Sequence, residues 1–202
     1  MSYPATFEVD YAERRSRLTA FFRLILVIPV AIWLYVYGIF AYLVIVIAWF
    51  AIVITGRYPK ALYDFVAGFN RLLARVTAYA ALLIDPYPPF GAGPDTSYPV
   101  RMDFAGPLEH YSRLKTFFRP LLAIPIAVLR YVMNLLLEIG AVAAWVVIVI
   151  TGKLPRGLFD VMVLANSYMA RSDAYLFLLT ETYPPFQDEQ TRTAGTAGAA
   201  AP

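Results

Sequence analysis

The chain has 202 residues, 60% of them hydrophobic and only 15% charged, with a formal net charge of +3 and no cysteine. Soluble domains carry about 25% charged residues, so this balance points to the bilayer, and basic loops at a membrane surface explain the surplus charge without nucleic acid as a partner. The lack of cysteine excludes disulfides and thiolate metal sites.

The first residues mix Glu8, Asp10 and Glu13 with Arg14, Arg15 and Arg17 and show no small-residue cleavage site, so no cleavable signal is expected. Phe7, Val9 and Tyr11 alternate with Glu8 and Asp10, the pattern of a strand half-buried on one face. A basic lead-in then ends in Phe21-Phe22-Arg23, and from Leu24 to Thr55 there is no charged residue. About 18 such residues already make a transmembrane candidate. A continuous helix over this run would be about 48 Å long at ~1.5 Å per residue. The hydrocarbon core is only ~30 Å thick, so one straight crossing would demand an extreme tilt.

Charge favours another path. Arg14, Arg15, Arg17 and Arg23 precede the run, and Arg57 and Lys60 follow it. Cytoplasmic loops collect Lys and Arg, so both ends belong on one side, which requires an even number of crossings. The expectation is a helical hairpin with arms Leu18–Leu34 and Ile39–Thr55 and its turn near Gly38.

Thr55-Gly56-Arg57-Tyr58-Pro59 reads as a helix stop, a turn and a helix start. Gly56 suits the left-handed closing residue, Arg57 the negative end of the helix dipole, and Pro59 the first position of the next helix. Arg57 and Lys60 are also candidates for holding a lipid headgroup beside that helix start. The helix that follows places Leu62, Phe65, Val66, Phe69, Leu72, Leu73 and Val76 at helical spacing, interrupted by Asp64, Arg71 and Arg75. It is expected to lie in the membrane interface, with a further crossing as the alternative. Tyr87-Pro88-Pro89-Phe90 ends the unit with helix-stopping prolines and interface-seeking aromatics.

The unit then recurs. Arg17 to Arg23 (RLTAFFR) returns as Arg113 to Arg119 (RLKTFFR), and the same spacing relates Ile28-Pro29 to Ile124-Pro125 and Ala48-Trp49 to Ala144-Trp145. It also relates Ile54-Thr55-Gly56 to Ile150-Thr151-Gly152. Asp64, Asn70, Arg75 and Tyr79 match Asp160, Asn166, Arg171 and Tyr175. Val100, Met102 and Phe104 supply the second strand, Lys153 and Arg156 stand where Arg57 and Lys60 stood, and Tyr183-Pro184-Pro185-Phe186 closes the copy. The organisation is two tandem repeats, 2–90 and 97–186, with a turn-rich linker at 91–96 and a tail at 187–202 of disordered composition. The expected fold class is mainly α and integral to the membrane. Each repeat is expected to hold a short strand, a transmembrane helical hairpin and an amphipathic interfacial helix, the second hairpin turning near Asn134.

The copies differ informatively at one place. Leu34, Gly38 and Tyr42 become Arg130, Asn134 and Glu138, one polar stripe on a continuous helix. Either they form a polar site inside the membrane between the repeats, or they occupy the hairpin turn among water and headgroups.

Phe-Phe-Arg with the following Ile-Pro, the Trp before Ile-Val-Ile-Thr-Gly, the Thr-Gly-x-x-Pro-x-x-Leu-aromatic-Asp stretch and the closing Tyr-Pro-Pro-Phe together resemble an uncharacterised bacterial membrane-protein family, catalogued as a domain of unknown function (4389), here in two tandem copies. The resemblance covers nearly everything except the tail and implies no activity. No G-x-S-x-G, H-E-x-x-H or Walker sequence occurs, and His110 is the single histidine. Asp64 and Asp160 stand near helix starts, where a carboxylate favours the dipole. Trp33, Trp49 and Trp145 suit packing or interface anchoring.

The expectation is a non-enzymatic protein with no cofactor, a scaffold or accessory subunit of a membrane assembly in envelope lipid handling. Its partners would be membrane lipids and a membrane protein or a second copy of itself. It would sit in the inner membrane, multi-pass, with cytoplasmic termini. The alternatives are a small transporter or channel using the polar site at the repeat interface, and a lipid-acting enzyme using Asp64 and Asp160.

Overall fold

A computed structural model describes residues 3–186; the tail at 187–202 lies outside the described residues. The order is β1 (Ala5–Val9), α1 (Arg17–Phe21), α2 (Arg23–Leu26), α3 (Ile28–Thr55), α4 (Lys60–Ala80), β2 (Val100–Phe104), α5 (Arg113–Phe117), α6 (Arg119–Thr151) and α7 (Arg156–Leu176). The chain is mainly helical and built of two tandem repeats. Two helical stretches, Arg23–Thr55 and Arg119–Thr151, are long and apolar enough to cross a membrane.

The predicted turns at Gly38 and Asn134 do not exist. α3 runs without a break from Ile28 to Thr55, and α6 from Arg119 to Thr151. Neither residue interrupts the backbone ladder. Gly38 is buried, and its missing side chain lets the Phe69 ring approach; the Asn134 amide donates to Glu138 Oε1 at 2.6 Å, one turn along the same helix. Each repeat does contain a helical hairpin, but its second arm is the helix after Thr-Gly-x-x-Pro: α3 pairs with α4, and α6 with α7.

That joint behaves as its sequence demands. Gly56 and Gly152 close α3 and α6 in the left-handed region, both at φ 72°. Thr55 Oγ1 donates to Ala51 O and accepts from the Arg57 N–H, and Thr151 repeats this with Val147 and Lys153. An L side chain in this conformation costs about 1–2 kcal/mol. Gly56→Ala and Gly152→Ala should each lower stability by about that amount in thermal unfolding in detergent. Gly152→Ala should be the worse of the two, because its Cβ would meet Arg17 Nε at 3.0 Å, against 3.4 Å to Arg113 Nε at Gly56.

α4 and α7, expected at the membrane interface, form the interior of the fold, buried over most of their length, and cross each other where Asn70 Nδ2 donates to Ala170 O at 3.4 Å. Separate faces of α4 meet separate partners. Phe65 and Phe69 pack on Tyr37 of α3, and Leu72 and Val76 on Val30. On another face Arg71 donates to Met102 O of β2 and lies over the Phe104 ring. Arg71 and Arg75, which interrupt the apolar spacing, are thus consumed inside, where Arg75 also donates to the carbonyls of Gly91 and Gly93.

The two strands pair with each other, antiparallel, with Phe7 opposite its repeat-equivalent Met102. Their inner side chains, Ala5, Phe7, Val100 and Met102, are buried in the core. On the outer face Arg101 pairs with Glu8 at 3.3 Å and Asp10 at 2.7 Å.

The repeats exchange their lead-ins. The Arg15 N–H donates to Gly152 O, and the Tyr111 N–H, its counterpart, donates to Gly56 O. Phe21 of α1 stacks on Trp145 of α6, and Phe117 of α5 stacks on Trp49 of α3. These contacts come in pairs with the copies swapped, which describes a local two-fold axis passing between Phe7 and Met102.

Candidate functional site

Three features concentrate polar chemistry or unusual exposure. The first is the pair of Thr-Gly-x-x-Pro joints with the basic residues predicted to hold headgroups. Arg57, Lys60, Lys153 and Arg156 are all exposed. Lys60 is paired with Asp64 at 2.7 Å, Lys153 with Glu13 at 2.8 Å, and Arg156 lies over the Tyr11 ring. The Lys153 ammonium holds the Glu13 carboxyl below the usual carboxylate range. The four do not converge. Arg57 and Lys60 sit at the end of α3, Lys153 and Arg156 at the end of α6. The exchanged lead-ins enlarge each group: Arg113 lies against Gly56, while Arg17 lies against Gly152 and Arg14 bridges to Lys153. Sequence spacing within one repeat hides this enlargement, because each cluster takes residues from both copies.

The second feature is the polar stripe of α6. Arg130 turns inward and forms a two-point pair with Asp173 of α7, at 2.9 and 3.2 Å. Asn134 and Glu138 continue the stripe, bonded to each other. A small cavity between α4, α6 and α7 is lined by Arg130, Asp173 and the equivalent pair Asn70 and Asn166. Both asparagines are fully buried, and Asn70 Oδ1 and Asn166 Nδ2 have no hydrogen-bond partner among the described residues. Burial pushes the Asp173 carboxyl up to about 6 despite its arginine. The stripe therefore lies on a continuous helix and not in a turn; Arg130 reaches the cavity between the repeats, while Glu138 is exposed. Asp173 was legible as its partner: Leu34 and Thr77 in the first copy become Arg130 and Asp173 in the second, two changes in one register.

The third feature is the pair of long helices. A narrow stripe through Val30, Gly38, Ala41, Ala48 and Ile52 packs inward, and most of the rest of the α3 circumference is exposed and apolar, from Ile28 at 50% through Ile32, Ile39, Val46 and Phe50 to Ile54 at 68%. α6 repeats the pattern from Leu121 to Ile150.

The Phe-Phe-Arg motif is structural. Arg23 and Arg119 are buried and reach the carboxyl ends of α4 and α7. Arg23 pairs with Asp85 at 2.8 Å and covers the Tyr79 ring; Arg119 donates to the carbonyls of Tyr175 and Thr180 and covers the Tyr175 ring. Those helix ends close through Leu82 and Leu178 at φ 64° and 67°. The Tyr-Pro-Pro-Phe segments are held the same way, Tyr98 donating to Pro86 O and Trp33 to Phe90 O. Asp64 and Asp160, the candidates for a paired-carboxylate enzyme, stand just past the first turns of α4 and α7, and Asp64 is engaged by Lys60.

A family model described as Domain of unknown function (DUF4389) matches residues 17–92 and again 113–187. The chain belongs to this family. Each DUF4389 match begins at the lead-in of one repeat and runs through the long helix, the joint and the interior helix. The strands lie outside both matched segments, as an addition that ties the two DUF4389 copies together. No curated protein and no solved structure matches the chain.

Proposed function

We propose that this two-copy DUF4389 protein is an integral membrane protein without enzymatic activity, serving as a scaffold or accessory subunit of a membrane assembly that handles envelope lipids. The observation that carries the membrane part is the exposed apolar surface of α3 and α6. Monotopic and spanning proteins alike bury such surface in lipid, whereas soluble monomers rarely leave a contiguous apolar patch beyond a few hundred Å². The interior supports a structural role. Buried Arg15, Arg75 and Arg119 donate to backbone carbonyls, buried Arg23 pairs with Asp85 and half-buried Arg130 pairs with Asp173, all beneath a wide apolar outer face. The inner membrane, with the termini on the cytoplasmic side, is the location this reading favours, since the basic joints would then face anionic headgroups. A membrane protein of the same assembly or a second copy is the expected partner.

Two measurements test this. The protein should stay with the membrane pellet through alkaline carbonate extraction; complete release would refute embedding. Solubilised in mild detergent, it should migrate larger than one chain with its own micelle, and a strictly monomeric species from the native membrane would refute the scaffold role.

The Arg130–Asp173 pair beside the unsatisfied Asn70 Oδ1 and Asn166 Nδ2 favours a second reading, a small transporter with its site at the repeat interface. Reconstituted liposomes should then show a flux that collapses in Arg130→Leu or Glu138→Leu; equal flux in the variants would dispose of it.

A further inference from the structure

We infer that neither long helix crosses the membrane: α3 and α6 lie in the plane of a single leaflet, with the local two-fold axis along the membrane normal and acyl chains of that leaflet covering their outer faces. This deepens the membrane reading above and rests on it.

The orientation follows from which ends meet. Trp49, near the end of α3, donates to Thr116 O and stacks on Phe117, just before the start of α6. Trp145, near the end of α6, stacks on Phe21, just before the start of the first long helix. The finish of each helix therefore lies beside the start of the other. A two-fold axis keeps height unchanged along itself. If the start of one helix and the finish of its mate are at one height, then the start and finish of a single helix are at one height too. Both helices accordingly run perpendicular to the axis, antiparallel to each other. The helical stretches Arg23–Thr55 and Arg119–Thr151 are each 33 residues long, about 50 Å at ~1.5 Å per residue.

Two placements in a bilayer respect that geometry. In the first, the axis lies in the midplane and the helices span. The strand pair sits on the axis, since Phe7 faces its own equivalent Met102. It would then stand at mid-depth, with Glu8, Asp10 and Arg101 exposed to hydrocarbon. Charged groups at that depth are costly, and so is an open two-stranded edge. Arg130, Asn134 and Glu138, near the middle of α6, would also stand at the bilayer centre. In the second placement the axis is the membrane normal. The charged outer face of the strands meets water. α3 and α6, on a separate face of the interior helices, enter the lipid. A helix about 10–12 Å across fits within one leaflet of a ~30 Å core.

The second placement also explains why both flanks of both apolar runs are basic. All four ends share one height, so Arg57, Lys60 and Arg113 at one end and Arg14, Arg17, Lys153 and Arg156 at the other all face the headgroups of one surface. An even number of crossings was the sequence requirement, and zero meets it. The partner is thus one leaflet: acyl chains against the apolar arcs and anionic headgroups at the two basic ends.

The absence of cysteine makes a direct test simple. Glu8→Cys, Lys60→Cys and Arg156→Cys are introduced one at a time, with Arg57→Cys and Lys153→Cys as a second pair. Each is exposed to a membrane-impermeant maleimide in sealed right-side-out and inverted vesicles. All positions should label fully in the same vesicle type and stay unlabelled in the other. Labelling of Lys60→Cys and Arg156→Cys from opposite sides would overturn the in-plane placement while leaving membrane embedding intact. Carbonate extraction of the same vesicles separates the two ideas: release of the protein would defeat embedding itself, and the in-plane placement with it.

Discussion

Arg130→Leu should destabilise the protein by about 3 kcal/mol, because it strands a buried carboxylate. Asp173 has a side-chain exposure of only 6% and its acceptors are met by the Arg130 guanidinium. The first copy shows how the same site is built without charge, with Leu34 and Thr77. The double variant Arg130→Leu/Asp173→Thr should therefore recover most of the loss, since replacing both members of a buried pair is often close to neutral. Thermal unfolding in detergent across this double-mutant cycle reads the coupling directly; additive losses would show that the pair does not act as a unit.

The same carboxyl gives a pH signature. Its folded-state pKa is raised to about 6 by burial, above the ordinary 3.8. The folded form then holds its proton more tightly than the unfolded form, so this group's contribution is fully present below about 3.8 and is lost as pH rises through about 6. Between those values the native protein should gain stability on acidification. Asp173→Asn should flatten the profile in that window. An unchanged slope would mean that Asp173 is not the group responsible.

Arg119→Met is the second large effect expected, about 2–4 kcal/mol. Methionine fills much of the arginine stem but leaves Thr180 O without its donor and Tyr175 O with only the Leu178 N–H; an orphaned buried acceptor costs about 1–3 kcal/mol, and the lost cover of the Tyr175 ring adds about 1 kcal/mol. Against a total stability of about 5–15 kcal/mol, that is a large share. The damage should be local. The N–H groups of Phe177, Leu178 and Leu179 bond back to Asp173, Tyr175 and Ala174 where α7 closes, so their hydrogen-exchange protection should fall first. Arg119→Lys should recover only part, since an ammonium lacks the guanidinium plane that covers the Tyr175 ring. Uniform loss of protection along α7 would contradict this anchoring role for Phe-Phe-Arg.

These residues show where the sequence was legible. The repeat, the strands and the glycine-closed helix ends all follow from local rules, because Gly56, Pro59 and the alternation around Phe7 act through their own backbone. The helical hairpin was placed wrongly because one strand of sequence cannot reveal which neighbour covers an apolar stripe. Val30 is covered by Leu72 and Val76 of α4 and Gly38 by Phe69, so no fold-back at Gly38 is needed. The polar residues of α4 misled for a similar reason. Arg71 and Arg75 look water-facing by periodicity, yet they bond the carbonyls of β2 and the 91–93 segment, partners remote in sequence. Exchange between the copies was invisible too, since matched spacing is the same whether repeats pack beside their own lead-in or the other's.

The orientation of the helices in lipid is the claim most worth measuring. Oriented bilayers containing the protein, examined by polarised infrared spectroscopy, should show amide I absorption aligned with the membrane plane. All four long helices contribute in one sense, because α4 and α7 fold back along α3 and α6. Amide I absorption aligned with the membrane normal would contradict the account and restore spanning helices.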